Sequence, residues 1–216
     1  LKLRADVLEK NWSPASSASP NPRFSASVLV TMAYCGLFRQ SRHCSAHKKY
    51  RHRQTGSAAP RQAEHRSAGP AARRARTIIA VAQQASRITA RESRLLEIPS
   101  PVYVLGDIHA NLYDLQFFRK TIWPAGPEVT AGEFLFLGDF VDRGKDSIAV
   151  IAYIMAMKIL NPGKWWMIRG NHETREVNGN VEHYGDGSFL AQCIAVFGES
   201  DGYAVWEAVN NFFDTL

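Results

Sequence analysis

Three short blocks of this chain share one layout, and that layout restricts the fold more than any other feature of the sequence. Val102-Tyr103-Val104-Leu105 runs into Gly106-Asp107-Ile108-His109. Phe134-Leu135-Phe136-Leu137 runs into Gly138-Asp139-Phe140-Val141-Asp142-Arg143-Gly144, and Trp165-Trp166-Met167-Ile168 runs into Arg169-Gly170-Asn171-His172-Glu173. Apolar runs of four residues bounded by turn signals read as buried strands. Between the blocks lie segments of helical character. Leu112, Leu115, Phe118 and Ile122 fall at helical spacing before Pro124 and Gly126. Ser147 to Leu160 is apolar almost all round and stops at Asn161-Pro162-Gly163, which predicts a buried crossover helix. Strand, helix, strand, helix, strand is the pattern of an α/β fold with a parallel sheet.

Parallel sheets bind ligands just beyond the carboxyl ends of their strands. The three polar clusters therefore meet along one sheet edge. Asp107 and His109 are two apart at a strand exit, so extended backbone turns them the same way. A mixed carboxylate and imidazole set suits Mn, Fe or Zn better than Ca. Asp139 leaves the neighbouring strand at the matching point and is placed to bridge two ions, and Asn171 adds a neutral oxygen. Arg143 offers the planar donor fork that fits phosphate oxygens. His172 is placed to protonate a departing alkoxide, with Asp142 holding its imidazole in one tautomer. Each motif alone is weak, but the three in order after three strands are specific. This is the chemistry of metal-dependent phosphate-ester hydrolysis.

Charge divides the chain in two. Leu1 to Arg76 carries 15 Lys and Arg against three acids, whereas Thr77 onward carries 11 against 17. The pI of about 9.4 thus describes the leading segment, and nucleic-acid binding by the protein as a whole is not implied. Residues 1–76 are read as a disordered basic tail or targeting segment, because so few apolar residues cannot offset the entropy of ordering. The first methionine is Met32. From there to residue 76 the Arg- and Ser-rich composition fits an organelle transit peptide, and His47 to Arg53 equally fits a nuclear or RNA-binding patch. Localisation is accordingly cytoplasmic or nuclear, with organellar targeting through residues 32–76 as the alternative. Residues 77–216 are assigned to a catalytic domain, beginning with a helix in which Ile78, Val81, Ala82, Ala85 and Ile88 share one face. Cys35, Cys44 and Cys193 show no ligand spacing, and the longest apolar run is too short to span a membrane. Val177 to Ser188 is Gly-rich and read as a loop, and Glu199 to Asp201 as a solvated turn. Ala191 to Phe197 and Tyr203 to Phe213 read as helices.

The motifs Gly106–His109, Gly138–Gly144 and Arg169–Glu173 resemble the first three signatures of the phosphoprotein phosphatase family, the serine/threonine protein phosphatases that include calcineurin. The resemblance covers roughly 77–216 and implies a calcineurin-like metallophosphoesterase fold, a β-sandwich flanked by helices, of which this chain holds the N-terminal part. It implies two divalent metal ions, with Asp107 and His109 on one, Asp139 bridging and Asn171 on the second. Arg143 and Asn171 would hold substrate, and His172 with Asp142 would form the acid pair. Hydrolysis of phosphoserine or phosphothreonine by a dimetal-activated hydroxide follows, with phosphoprotein substrates and regulatory subunits as partners. A dinucleoside polyphosphate hydrolase and an inactive phosphatase-like binding module are the alternatives. Two positions depart from the family pattern: Ala110 stands where glycine is usual, and Phe140 where tyrosine is common.

Overall fold

The computed structural model describes residues 69–216. The expectations for residues 1–68 of the basic tail, including its targeting and nucleic-acid alternatives, lie outside the described residues. Helix α1 spans Pro70–Thr89, β1 Val102–Leu105, α2 Leu112–Thr121, β2 Glu133–Phe136, α3 Ser147–Leu160 and β3 Trp165–Met167. Two one-turn helices, α4 (Arg175–Asn178) and α5 (Val181–Tyr184), lead through a 3-10 turn at Gly185–Gly187 to α6 (Phe189–Phe197) and α7 (Glu199–Phe213). The three strands form one sheet in the order β1-β2-β3, and both pairings are parallel. This is the α/β architecture expected from the alternating pattern.

The register aligns the three strand ends, with Leu105 opposite Phe136 and Phe136 opposite Met167. The polar clusters that follow therefore leave the sheet side by side. Phe134, Phe136, Trp165 and Met167 point to the covered face and are buried. There Trp123 packs edge-on against Phe134 and Trp165, with ring centroids 4.9 and 5.4 Å apart. Burial of each such ring contributes on the order of 2–3 kcal/mol. The strands are not buried on both sides, as their unbroken apolar runs had suggested. Among the described residues the opposite face stays open, with Val104 57% exposed and Leu137 and Ile168 near 40%. Trp166 lies on that half-open face rather than in the core. One sheet is formed among the described residues, not the two of a sandwich.

Helix α3 keeps its expected bounds, because Ile148 to Ala156 is apolar enough to be buried on nearly every side. Lys158 near its end is also fully buried. Its ammonium pairs with Glu92 and donates to the carbonyls of Pro162 and Trp165 at 3.1 and 2.7 Å. Burial pulls the Lys158 pKa below the usual lysine value, and Glu92 opposes that shift. The lysine thus fastens the connector after α1 to the start of β3.

Three boundaries differ from expectation. Helix α1 begins at Pro70, seven residues before Thr77, because proline is favoured in the first helical turn. It continues as an Ala- and Arg-rich stretch of strong helix formers. It packs chiefly on α7 and α3 through Ala75, Ile78, Val81, Ala82 and Ala85. Glu199 and Asp201 form the first turn of α7 instead of a solvated turn, where negative charge suits the helix N-terminus. Residues 177–188 include α5 and part of α4 rather than plain loop. The Asn180 side chain accepts from the His183 N–H at 3.0 Å and starts α5.

Candidate active site and metal centre

Close contact between the β2 and β3 exits is the first condition for the site. Gly138 has φ of 104°, and a side chain there would overlap the backbone of Gly170. Only glycine lets the two loops touch. Among the described residues, five that are not glycine also take left-handed backbone: His109, Ala110, Asp139, Asp142 and Arg143, with φ between 42° and 67°. All five lie in the polar clusters after β1 and β2. Such conformations cost about 1 kcal/mol each and persist where surrounding contacts hold them.

Those contacts are explicit. The N–H groups of Ile108 and His109 both donate to the Asp139 carbonyl, at 3.1 and 2.8 Å, so the first loop is laced to the second. The buried carboxylate of Glu173 accepts the N–H groups of Asp139, Phe140 and Gly170 at 2.7, 2.8 and 3.0 Å. Burial pushes the Glu173 pKa up to about 7, with the donors from Phe140 and Asp139 working against it. Sequence reasoning gave Glu173 no task. Its partners at Asp139 and Phe140 stand more than 30 positions away, and only the folded loops bring them near.

At the centre, His109 Nδ1 donates to the Val141 carbonyl at 3.0 Å. That bond fixes the tautomer and leaves the Nε2 lone pair facing inward. It faces Asp107 Oδ2 at 3.7 Å and Asp139 Oδ2 at 3.8 Å. Two carboxylates turned toward an imidazole lone pair repel one another unless a cation lies between them. The separations slightly exceed the roughly 3.4 Å ligand-to-ligand edge of a tetrahedral site with bonds near 2.1 Å. The spacing of each carboxylate from His109 is compatible with ligands of a divalent ion. The other carboxylate oxygen of Asp139 accepts the His172 N–H at 3.0 Å.

His109, Asp139 and His172 also offer ligand atoms within 4.8 Å of one another. That trio differs from the one expected from sequence, since it includes His172 and omits Asp107. His172 is at the same time held in a hydrogen-bond network. His172 Nδ1 donates to Asp142 Oδ2 at 2.8 Å, and Arg143 Nη2 donates toward His172 Nε2 at 3.4 Å. Both ring nitrogens of His172 are engaged, and its ring stands edge-on to His109 with centroids 4.6 Å apart. Asp142 is fully buried. Its second oxygen accepts the Phe189 N–H at 2.7 Å. Desolvation raises the Asp142 pKa, and the bond from His172 is the strongest influence opposing it. Arg143 is exposed beside this pair, and Asn171 is exposed at the same edge. Tyr184, which had no assigned role, stands with its ring 5.4 Å from His172.

Ala110 tests the departure at the first motif. Its φ is 56° and it is 1% exposed. In Ala110→Gly, relief of about 1 kcal/mol of backbone strain meets the loss of a buried methyl group, about 0.8 kcal/mol. A freer unfolded chain takes back a further ~0.4–1 kcal/mol. The expected outcome is a denaturation free energy within about 1 kcal/mol of the parent. A loss above about 2 kcal/mol would show that the backbone there is relaxed.

A parallel sheet that delivers carboxylates, imidazoles and an arginine to one edge defines a metallophosphoesterase type of centre. The chain belongs to the calcineurin-like phosphoesterase family, whose family model matches residues 100–216. It is 35% identical over 137 residues to the serine/threonine-protein phosphatase BSL2 of Arabidopsis thaliana, covering 61% of this chain and 13% of that protein. Among solved structures it is similar to a protein serine/threonine phosphatase from Saccharomyces cerevisiae with similarity to human phosphatase PP5. The TM-score is 0.54 at 28% identity, over 66% of this chain and 43% of that one. The chain thus spans less than half the length of both relatives. No helix among the described residues is long and apolar enough to cross a membrane.

Proposed function

We propose that this chain is part of a metal-dependent phosphatase acting on phosphoserine and phosphothreonine in proteins. The observation that carries the proposal is the His172–Asp142 pair, buried and bonded at 2.8 Å, beside the Asp107, His109 and Asp139 donor set. In this reading Asp107 and His109 hold one divalent ion, Asp139 bridges, and Asn171 contributes to a second. Mn, Fe or Zn suits these ligands. Ions there would supply charge neutralisation and make water a stronger nucleophile at neutral pH.

The chain's own residues do the rest. Arg143 presents its guanidinium beside His172 and would grip phosphate oxygens in a forked geometry. Asp142 accepts the Nδ1 proton of His172 and would stabilise its imidazolium form, whose second proton, on Nε2, passes to the departing serine oxygen once Arg143 turns from Nε2 to the phosphate. The loop-to-loop bonds keep Asp139 facing His109. Similarity to named serine/threonine phosphatases supports protein substrates over dinucleoside polyphosphates.

The intact protein, supplied with Mn, is expected to release phosphate from a phosphoserine peptide faster than it cleaves a dinucleoside tetraphosphate. Faster cleavage of the dinucleotide would sink the protein-phosphatase assignment. Turnover of neither, with phosphopeptide binding retained, would favour the inactive binding module.

A further inference from the structure

We propose that Gln192 is a positioning residue for Arg143, holding the turn on which the guanidinium is carried. The proposal rests on the reading of Arg143 as the phosphate-binding group. Arg143 is a poor residue for left-handed backbone, yet its φ is 64°. Such a conformation persists only where neighbouring contacts over-determine it. Gln192, one turn into α6, supplies them. Its Nε2 donates to the Gly144 carbonyl at 2.9 Å and the Gly187 carbonyl at 3.2 Å. Its Oε1 accepts the Ser147 N–H at 2.9 Å.

One buried side chain thereby grasps the residue after Arg143, the first residue of α3 and the turn before α6. From the other side Gly144 lies flush against the carbonyls of His109 and Ala110, where a side chain would not fit. The Phe189 N–H, from the same helix as Gln192, fixes Asp142 immediately before the arginine. Both neighbours of Arg143 are thus tied to α6, Asp142 through its side chain and Gly144 through its carbonyl, while the arginine side chain reaches His172. The hydrogen bonds of the Gln192 side chain go to Gly144, Gly187 and Ser147, and to neither the metal-capable donor set nor His172. Its effect should be confined to the grip on phosphate.

The test compares the inhibition constant of inorganic phosphate and the KM for a phosphoserine peptide in the Mn-loaded intact protein and its variants. Gln192→Leu is expected to raise the phosphate inhibition constant about tenfold and KM with it, since small misplacements of a clamp are costly. Bound ions per protein should not change. Arg143→Ala should raise the constant at least as much. The double variant should be no worse than Arg143→Ala alone, because a residue acting through Arg143 has nothing left to position. An unchanged constant in Gln192→Leu, or additive losses in the double variant, would overturn the proposal. Should Gln192→Leu not fold, Gln192→Glu keeps the acceptor for Ser147 but turns a carboxylate toward two carbonyls. The same rise is expected there, and an unchanged constant counts equally against the proposal. If Arg143→Ala itself leaves phosphate inhibition unaltered, the phosphate reading of Arg143 fails and the proposal falls with it. If Arg143→Ala acts and Gln192→Leu does not, only the positioning role is lost.

Discussion

Asp139→Asn should strip the protein of metal at both positions and lower phosphopeptide turnover by roughly a thousandfold or more, since several kcal/mol of charge stabilisation would go with the ions. The substitution removes a charge while leaving almost every other demand of the position intact. Asparagine tolerates left-handed backbone about as well as aspartate. Its amide oxygen can still accept the His172 N–H, now at 3.0 Å from the carboxylate. Its amide nitrogen would then face the His109 Nε2 lone pair, which today faces a carboxylate oxygen at 3.8 Å. A hydrogen bond there would engage the atom that a metal needs. The fold should therefore survive, with a denaturation midpoint near the parent's. Elemental analysis that still finds two ions per protein would refute the bridging role.

His172→Ala should reduce turnover of a phosphoserine peptide by a hundredfold or more, in the range that proton transfer by a placed side chain contributes, about 10²–10⁴. The loss should depend on the leaving group. Serine departs as a strongly basic alkoxide and needs the proton, whereas an acidic phenol leaves without help. The same variant should thus lose much less on an aryl phosphate. Equal losses on both substrates would move His172 from proton donor to a purely structural or ligand role. The truncation also strands Asp142, whose Oδ2 would lose its partner in a fully buried place, at a cost of about 1–3 kcal/mol. Stability must be measured alongside turnover, and a folded variant at assay temperature is the condition for the comparison.

Much of the fold is legible in the amino-acid sequence. Helix α3 runs from Ser147 to Leu160 as expected, since an almost wholly apolar stretch ended by Asn-Pro-Gly has few other solutions. The strands shifted by one residue at most, and the motifs following them converge because a parallel sheet aligns its own ends. The misses have a common cause in long-range contacts. Lys158 looked like the polar end of an apolar run, yet it is buried because Glu92, some 66 positions earlier, waits for it. Gln192 looked like one more residue on a core helix, and its three partners lie 5 to 48 positions away. The stretch after Glu173 defeated periodicity because α4 and α5 are each four residues long, too short for a 3.6-residue pattern to show. Glycines at 179, 185 and 187 further suggested loop.

The left-handed residues around the centre carry a consequence for how this protein can vary. At His109, Asp139 and Asp142 the proposed chemistry asks for a carboxylate or an imidazole, and the backbone asks for one of the few side chains that accept positive φ. Asp, Asn and His satisfy the second demand better than almost any residue but glycine. The two filters overlap, so a drifting sequence meets a double penalty at each of these positions. Ala110 and Arg143 are not among the residues that favour such backbone: buried Ala110 leaves room for little beyond glycine, and Arg143 is kept by function.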